Sequence, residues 1–322
     1  MSGVLRFSFA YLVAAVLLDS VLRGEPGVRV LASMQGTVSA FRQTVSPVLV
    51  ASIVVLGALL AAPLLRTRGR AVATAFLTVL LVQTAYSTVK ADLPLVMPFH
   101  ADPWLAGLDA ALHGGTAPWE LLHAVVPALP RGLADTIYFT SWVPVAVGLP
   151  LIVAATDADP VRSRQTMFLW VGIWPLLGNV LALLGLSGGP VYHDRITGQD
   201  TFAALVPAME SSGIAGSGTG WIMDMLWTWH SEGAQITGSG ISAFPSMHVA
   251  AATLAALYLS ERLPRLSALF VAWWAAILFL SVWYGWHYAL DGYASALLVG
   301  AAWAVLRRRR LPARNVAAAA PA

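Results

Sequence analysis

The sequence predicts an all-α, polytopic membrane protein of about eight transmembrane helices, with a helical core and amphipathic helices on its outer face. Three observations carry this. Of 322 residues, 58% are hydrophobic and 11% charged, against about 25% charged in an ordinary soluble domain. The mean hydropathy of +0.71 means more apolar surface than one soluble core can bury. The apolar residues also fall in separate stretches of spanning length. The 13 Trp suit membrane–water interfaces. Zero cysteines exclude disulfides, thiolate nucleophiles and Cys-ligated zinc. The net charge of +3 is spread by topology rather than gathered into a nucleic-acid patch, so no nucleic-acid partner is expected.

In chain order, the apolar stretches fall at about 4–22, 46–65, 71–90, 134–155, 166–187, 246–261, 266–284 and 287–306. The first has the charge-then-apolar order of a leader. The SVLRGEPG that follows is a poor cleavage site and more spans come after it, so it is read as a retained helix. The second and third are separated by a basic turn containing Arg66, Arg68 and Arg70. Between 100 and 130, PWLAGLDAALHGGTAPWELLHAVV is amphipathic and interrupted by Gly114, Gly115 and Pro118. It predicts one or two helices lying on the surface. The 246–261 stretch is short and begins at Pro245.

Placing the first residues inside puts Arg66, Arg68, Arg70, Arg162, Arg262 and the run Arg307–Arg310 on the cytoplasmic side. That follows the positive-inside bias and implies an even number of spans. All seven histidines, and carboxylates such as Asp92, Asp102, Asp109 and Asp291, then fall on the outer side. The protein is expected in a bacterial inner membrane or its equivalent, with its chemistry facing the non-cytoplasmic side.

Three patches converge on that side. In GSGISAFPSMHVA (238–250), Pro245 marks a helix start. The free N–H groups of Ser246, Met247 and His248 would point outward, the arrangement by which helix N-termini bind phosphate. In SVWYGWHYALDGYAS (281–295), His287 and Asp291 are four residues apart and share a helix face. Asp291 can accept from one ring nitrogen of His287 and leave the other free to attack or to take a proton. The plain alternative is a structural His–Asp pair joining two helices. In GGPVYHDRITGQD (188–200), Arg195 is the one Lys or Arg in the long loop before His248. It can grip paired phosphate oxygens or simply pair with Asp194 or Asp200. Tyr192 and His193 beside it are weaker candidates for touching substrate. A metal site from His193, His248 and His287 lacks any supporting spacing, so no metal is expected. The aromatics Trp283, Tyr284, Trp286, Tyr288 and Tyr293 read mainly as interfacial anchors, with one or two rings free to line a headgroup pocket.

PSMH (245–248), followed by HYALD (287–291), resembles the second and third motifs of the type 2 phosphatidic acid phosphatase (PAP2) superfamily. The H-x-x-x-D spacing is similar to that of its inositol phosphorylceramide and sphingomyelin synthase branch. The resemblance covers roughly 130–306. It divides the chain into N-terminal helices with surface helices (1–129), a PAP2-like catalytic core (130–306) and a basic cytoplasmic tail (307–322).

The resemblance implies a cofactor-free, metal-independent double displacement on a phospholipid or lipid-phosphate substrate. His287 would attack phosphorus, Asp291 would orient it, and His248 would serve as acid and then base. Arg195, Ser246, Tyr192 and His193 are the candidates for holding phosphate or substrate. The chain departs from the family where the phosphatase branch has a Lys…Arg-Pro first motif, which nothing here reproduces. The Ser-Arg pair before the third-motif His is Ser281–Val282 here, and Met247 replaces the Gly before the second-motif His. The missing arginines favour a lipid phosphotransferase that moves a phosphoryl or phospho-headgroup such as phosphoinositol. A lipid phosphate or polyprenyl pyrophosphate phosphatase is the alternative. A transporter or scaffold would place charges at the bilayer midplane and show internal repeats, whereas the polar residues here gather at outer helix ends.

Overall fold

The computed structural model describes residues 2–24, 47–233 and 240–319, and among them every regular element is helical. α1 (Ser2–Arg23) packs along α2 (Pro47–Val96). The short helices α3 (Asp102–Leu112) and α4 (Pro118–Val125) follow. Between them Gly114 and Gly115, at φ 73° and 89°, make a turn that other residues would adopt only under strain. Neither helix is long enough to cross a bilayer, as the broken amphipathic pattern predicts.

α5 (Arg131–Asp135) runs into two wide π-helical turns, Thr136–Thr140 and Val143–Val147, and α6 (Leu149–Thr156) leaves at 45°. Pro144 withholds a donor from this stretch, and the chain bends at Gly148. α7 (Pro160–Pro175) continues through a second π-helical stretch, Leu176–Leu181, into Ala182–Leu184. α8 (Pro190–Thr197), α9 (Leu205–Ser211) and α10 (Gly218–Ser231) are the short helices of the long loop. α11 (Met247–Arg262), α12 (Ser267–Trp283) and α13 (Ala289–Ala319) close the fold.

Five helices among the described residues are long and apolar enough to span: Gly3–Arg23, Thr67–Val96, Pro160–Leu184, Pro264–Trp283 and Ala289–Arg310. The bent pair around Gly148 makes a sixth if counted as one span. Eight were expected, and two differences account for the change. The stretches 46–65 and 71–90 are not separated by a turn but belong to the single helix α2. Arginine is a good helix former, and the lone Gly69 costs only about 1 kcal/mol in a helix interior, too little to break one. The 246–261 stretch is α11, whose 16 residues reach roughly 24 Å, short of the ~30 Å hydrocarbon core.

α11 is instead enclosed by protein. Val249, Ala250, Ala251, Ala252, Leu254 and Ala255 are fully buried, and their small size lets α12 and α13 approach closely. Trp274 Nε1 donates to Thr253 Oγ1 at 2.9 Å and Trp273 Nε1 to Ser141 Oγ at 2.8 Å, so these two rings keep their polar atoms paired.

The two ends of the bundle differ in charge. At one end Arg162 forms a two-pronged pair with Asp157 (2.8 and 2.6 Å). Close by, Arg310 Nη2 lies 2.6 Å from Glu261, and Arg262 and Arg68 donate to the Thr156 and Asp157 carbonyls. At the other end lie the histidines, with Arg23 bonded to Asp92 at 2.6 Å. Arg68, Arg162, Arg262 and Arg310 thus lie at the end opposite the histidines, whereas Arg23 shares the histidine end.

Candidate active site

The site forms where α11 and α13 begin. α12 stops at Trp283, the chain turns through Tyr284–Tyr288, and Asp291 lies in the first turn of α13. His287 Nδ1 lies 3.2 Å from Asp291 Oδ2, which also accepts the Tyr288 N–H at 3.1 Å. Asp291 is fully buried and His287 nearly so. With Nδ1 engaged by a carboxylate, Nε2 is the nitrogen left for chemistry. The Asp291 carbonyl accepts the Ser246 N–H at 3.1 Å, and the Ser295 hydroxyl sits 2.9 Å from the carbonyls of both Ser246 and Asp291. These bonds tie the two helix starts together. They bring His248 to His287, with ring centroids 6.4 Å apart.

His248 is held between two rings. Tyr138 stacks on it at 4.6 Å and 10°, Trp142 at 4.2 Å and 29°, and Trp142 Nε1 donates to the His248 carbonyl at 2.9 Å. Both rings come from the π-helical region after α5, a geometry common at functional sites. Ser246 caps α11, its hydroxyl accepting the Val249 N–H at 3.4 Å.

Both histidines line a cavity of about 290 Å³, together with Lys90, Tyr138, Trp142 and Trp286. Lys90 is the functional candidate that sequence reasoning passed over. It is the only lysine of the chain, on α2, with its Nζ 6.0 Å from the Tyr86 ring. Its signal was a cation within an apolar span, which marks a substrate path by default.

The cavity-lining residues do not include Ser246, Tyr192, His193 or Arg195. The Arg195 guanidinium is exposed and lies over the Trp227 ring at 5.4 Å. Tyr192 is buried and its hydroxyl donates to the Met223 carbonyl at 2.9 Å. His193 is also buried, with Nδ1 2.8 Å from Asp194. Among the described residues no three His, Asp or Glu side chains converge as a metal-ligand set.

The segment carrying His287 is gripped from α3. Asp109 accepts the N–H groups of Ala289 (3.0 Å) and Leu290 (3.1 Å), satisfying the free donors at the start of α13. Asp102 accepts the Tyr288 hydroxyl at 2.9 Å and the N–H groups of Gly188 (2.8 Å) and Gly189 (3.0 Å). Gly189 has φ 84°, and a Cβ there would collide with the Trp286 carbonyl, so only glycine fits this approach. Burial raises both carboxyls above their ordinary values, against the lowering effect of these hydrogen bonds. The aromatics expected at the interface are mostly internal: Trp283, Tyr284 and Tyr288 are buried, and Trp283 stacks on His123 at 5.0 Å. The Tyr284 hydroxyl donates to Asp135 at 2.7 Å. Tyr293 is the exposed exception.

A family model described as the PAP2 superfamily matches residues 103–305, more than half of the chain. The chain belongs to the PAP2 superfamily. Membership implies a lipid phosphate phosphatase or phosphotransferase activity, and family members are typically metal-independent. Neither the curated proteins nor the solved structures give a match.

Proposed function

We propose that the protein is a membrane lipid phosphotransferase that moves a phosphoryl group or phospho-headgroup through a phosphohistidine on His287. The observation that carries this reading is the convergence of the His287–Asp291 pair, His248 and Lys90 on one cavity. In the first step His287 Nε2 forms a bond to phosphorus as the bond from phosphorus to the leaving oxygen breaks. His248 gives that oxygen its proton. In the second step His248 takes a proton from the incoming hydroxyl, whose oxygen bonds to phosphorus as the phosphorus–nitrogen bond breaks. Asp291 fixes the ring of His287 and balances the positive charge that forms on it. Lys90 meets the negative charge on the phosphoryl oxygens, the role for which sequence reasoning had put forward Arg195. The stacked rings of Tyr138 and Trp142 keep His248 in place while it exchanges protons.

The test uses purified protein in nanodiscs with a panel of phospholipids and lipid pyrophosphates, following inorganic phosphate and new phospholipids together. The expected result is a new phospholipid that appears only with an added alcohol such as inositol, glycerol or ceramide, and that is lost in His287→Ala. Phosphate release without acceptor would make it a phosphatase with water as acceptor. Neither product from folded protein would reject both.

A further inference from the structure

The cavity extends beyond the two histidines. Gln83, Tyr86, Ser87 and Lys90 all line it, and their spacing of three, four and seven residues puts them on one face of α2. Seven residues at 1.5 Å each set Gln83 roughly 10 Å along the axis from Lys90. On the facing wall α7 and its π-helical continuation contribute Trp174, Gly178 and Ala182. A Cβ at Gly178 would run into the Tyr86 ring, so glycine there leaves room for that ring beside Trp174, whose centroid is 4.9 Å away. The cavity thus runs from the histidines inward between α2 and α7. At its inner end Gln83 is 9% exposed, and its Nε2 has no hydrogen-bond partner among the described residues. A buried amide within a spanning helix that faces a cavity is unfavourable unless something occupying the cavity pairs with it.

We propose that Gln83 forms a second polar subsite, which binds an oxygen in the linkage region of the lipid substrate. The inference rests on the phosphotransfer reading and narrows it. The substrate is a lipid phosphate whose backbone carries ester, amide or hydroxyl oxygens, rather than a polyprenyl phosphate, which is hydrocarbon beyond its phosphate. The dimensions agree. Six bonds separate phosphorus from an ester carbonyl oxygen in a glycerol lipid, roughly 7 Å when extended. An N–H···O contact adds about 3 Å, a total comparable with the rise between the backbone positions of Lys90 and Gln83. A ligand without that oxygen leaves the amide unpaired, the kind of mismatch that discriminates most strongly between substrates.

The experiment compares phosphatidate with its dialkyl ether analogue, which lacks the carbonyls, and includes ceramide phosphate and a polyprenyl phosphate. Turnover is measured with the wild-type chain and Gln83→Leu in nanodiscs. Binding is measured by competition against labelled phosphatidate in the His287→Ala background. The expected result is a wild-type preference for phosphatidate over its ether analogue of roughly tenfold or more in kcat/KM and in binding. In Gln83→Leu that ratio falls to about one, while Gln83→Asn retains part of it. Ceramide phosphate at the level of phosphatidate assigns the contact to amide or hydroxyl oxygens as well. A wild-type ratio near one, or the same ratio in Gln83→Leu, overturns the subsite and points to water beside Gln83. So does a polyprenyl phosphate as the best ligand. If Gln83→Leu fails to fold, Gln83→Asn carries the comparison, and a wild-type ratio near one overturns the subsite without either variant. If the binding ratio holds but nothing turns over, the subsite stands and the phosphotransfer reading falls.

Discussion

A lone ammonium inside an apolar helix is costly unless an anion meets it, and Lys90 lines the cavity shared by His248 and His287. Lys90→Met should lower kcat/KM by roughly 100-fold, the scale of losing one preorganised donor to a transferring group. Lys90→Arg should restore part of it. Arg195→Ala, altering an exposed side chain over Trp227, should change kcat/KM less than about twofold in the same turnover assay. The histidines and Asp291 were legible because each lies within a few residues of a helix start, where spacing alone places side chains on a shared face. Lys90 was not. The histidines that share its cavity, His248 and His287, lie more than a hundred residues away, and no local periodicity encodes the fold that brings α2 to the cavity they line. Ser246 sits at the start of α11, where its hydroxyl accepts the Val249 N–H as the cap.

At the scale of elements, α3 works as a clamp on the turn that presents His287. Asp102 and Asp109 lie seven residues apart and hold Tyr288 and the first N–H groups of α13. Displacing a nucleophile by about 1 Å can cost on the order of 100-fold in rate. Asp109→Asn keeps the shape but turns one acceptor into a donor facing one of the two N–H groups. It should lower kcat by roughly tenfold or more with KM within about twofold, as read from steady-state kinetics on a lipid phosphate. The sequence predicted α3 and α4 from their amphipathic pattern, but not what α3 does. Its acidic residues look like an ordinary surface face until the fold carries the start of α13 against them. The single helix α2 escaped prediction because a basic cluster signals a loop, yet arginine and one glycine do not stop a helix.

For the whole molecule, opposite ends of the bundle do different work. One end carries the cavity, and the other carries a buried ionic network centred on Asp157. Burial alone would raise the Asp157 carboxyl, but its bonds to Arg162, to the Asp159 N–H and to Tyr258 hold it below its ordinary value. Its stabilising contribution is therefore complete above about pH 4 and fades as the pH falls through the lowered value. Asp157→Asn should destabilise the protein by about 2 kcal/mol, because Arg162 loses its two-pronged partner and keeps only the 3.7 Å pair with Glu261. In thermal melts at neutral pH this appears as a lower midpoint, and the gap from wild type should narrow on acidification. No gap at neutral pH would remove the network from the stability of the fold. The central claim concerns the other end, and the most direct measurement is to look for the covalent intermediate. Protein in nanodiscs is mixed with a radiolabelled lipid phosphate, quenched in alkali to preserve phosphohistidine, and mapped by mass spectrometry. The account predicts a phosphoryl group on His287 in the wild-type chain, missing in His287→Ala and formed more slowly in His248→Ala, which lacks the acid for the leaving oxygen. Turnover with no label on His287, or label on His248 instead, would contradict it.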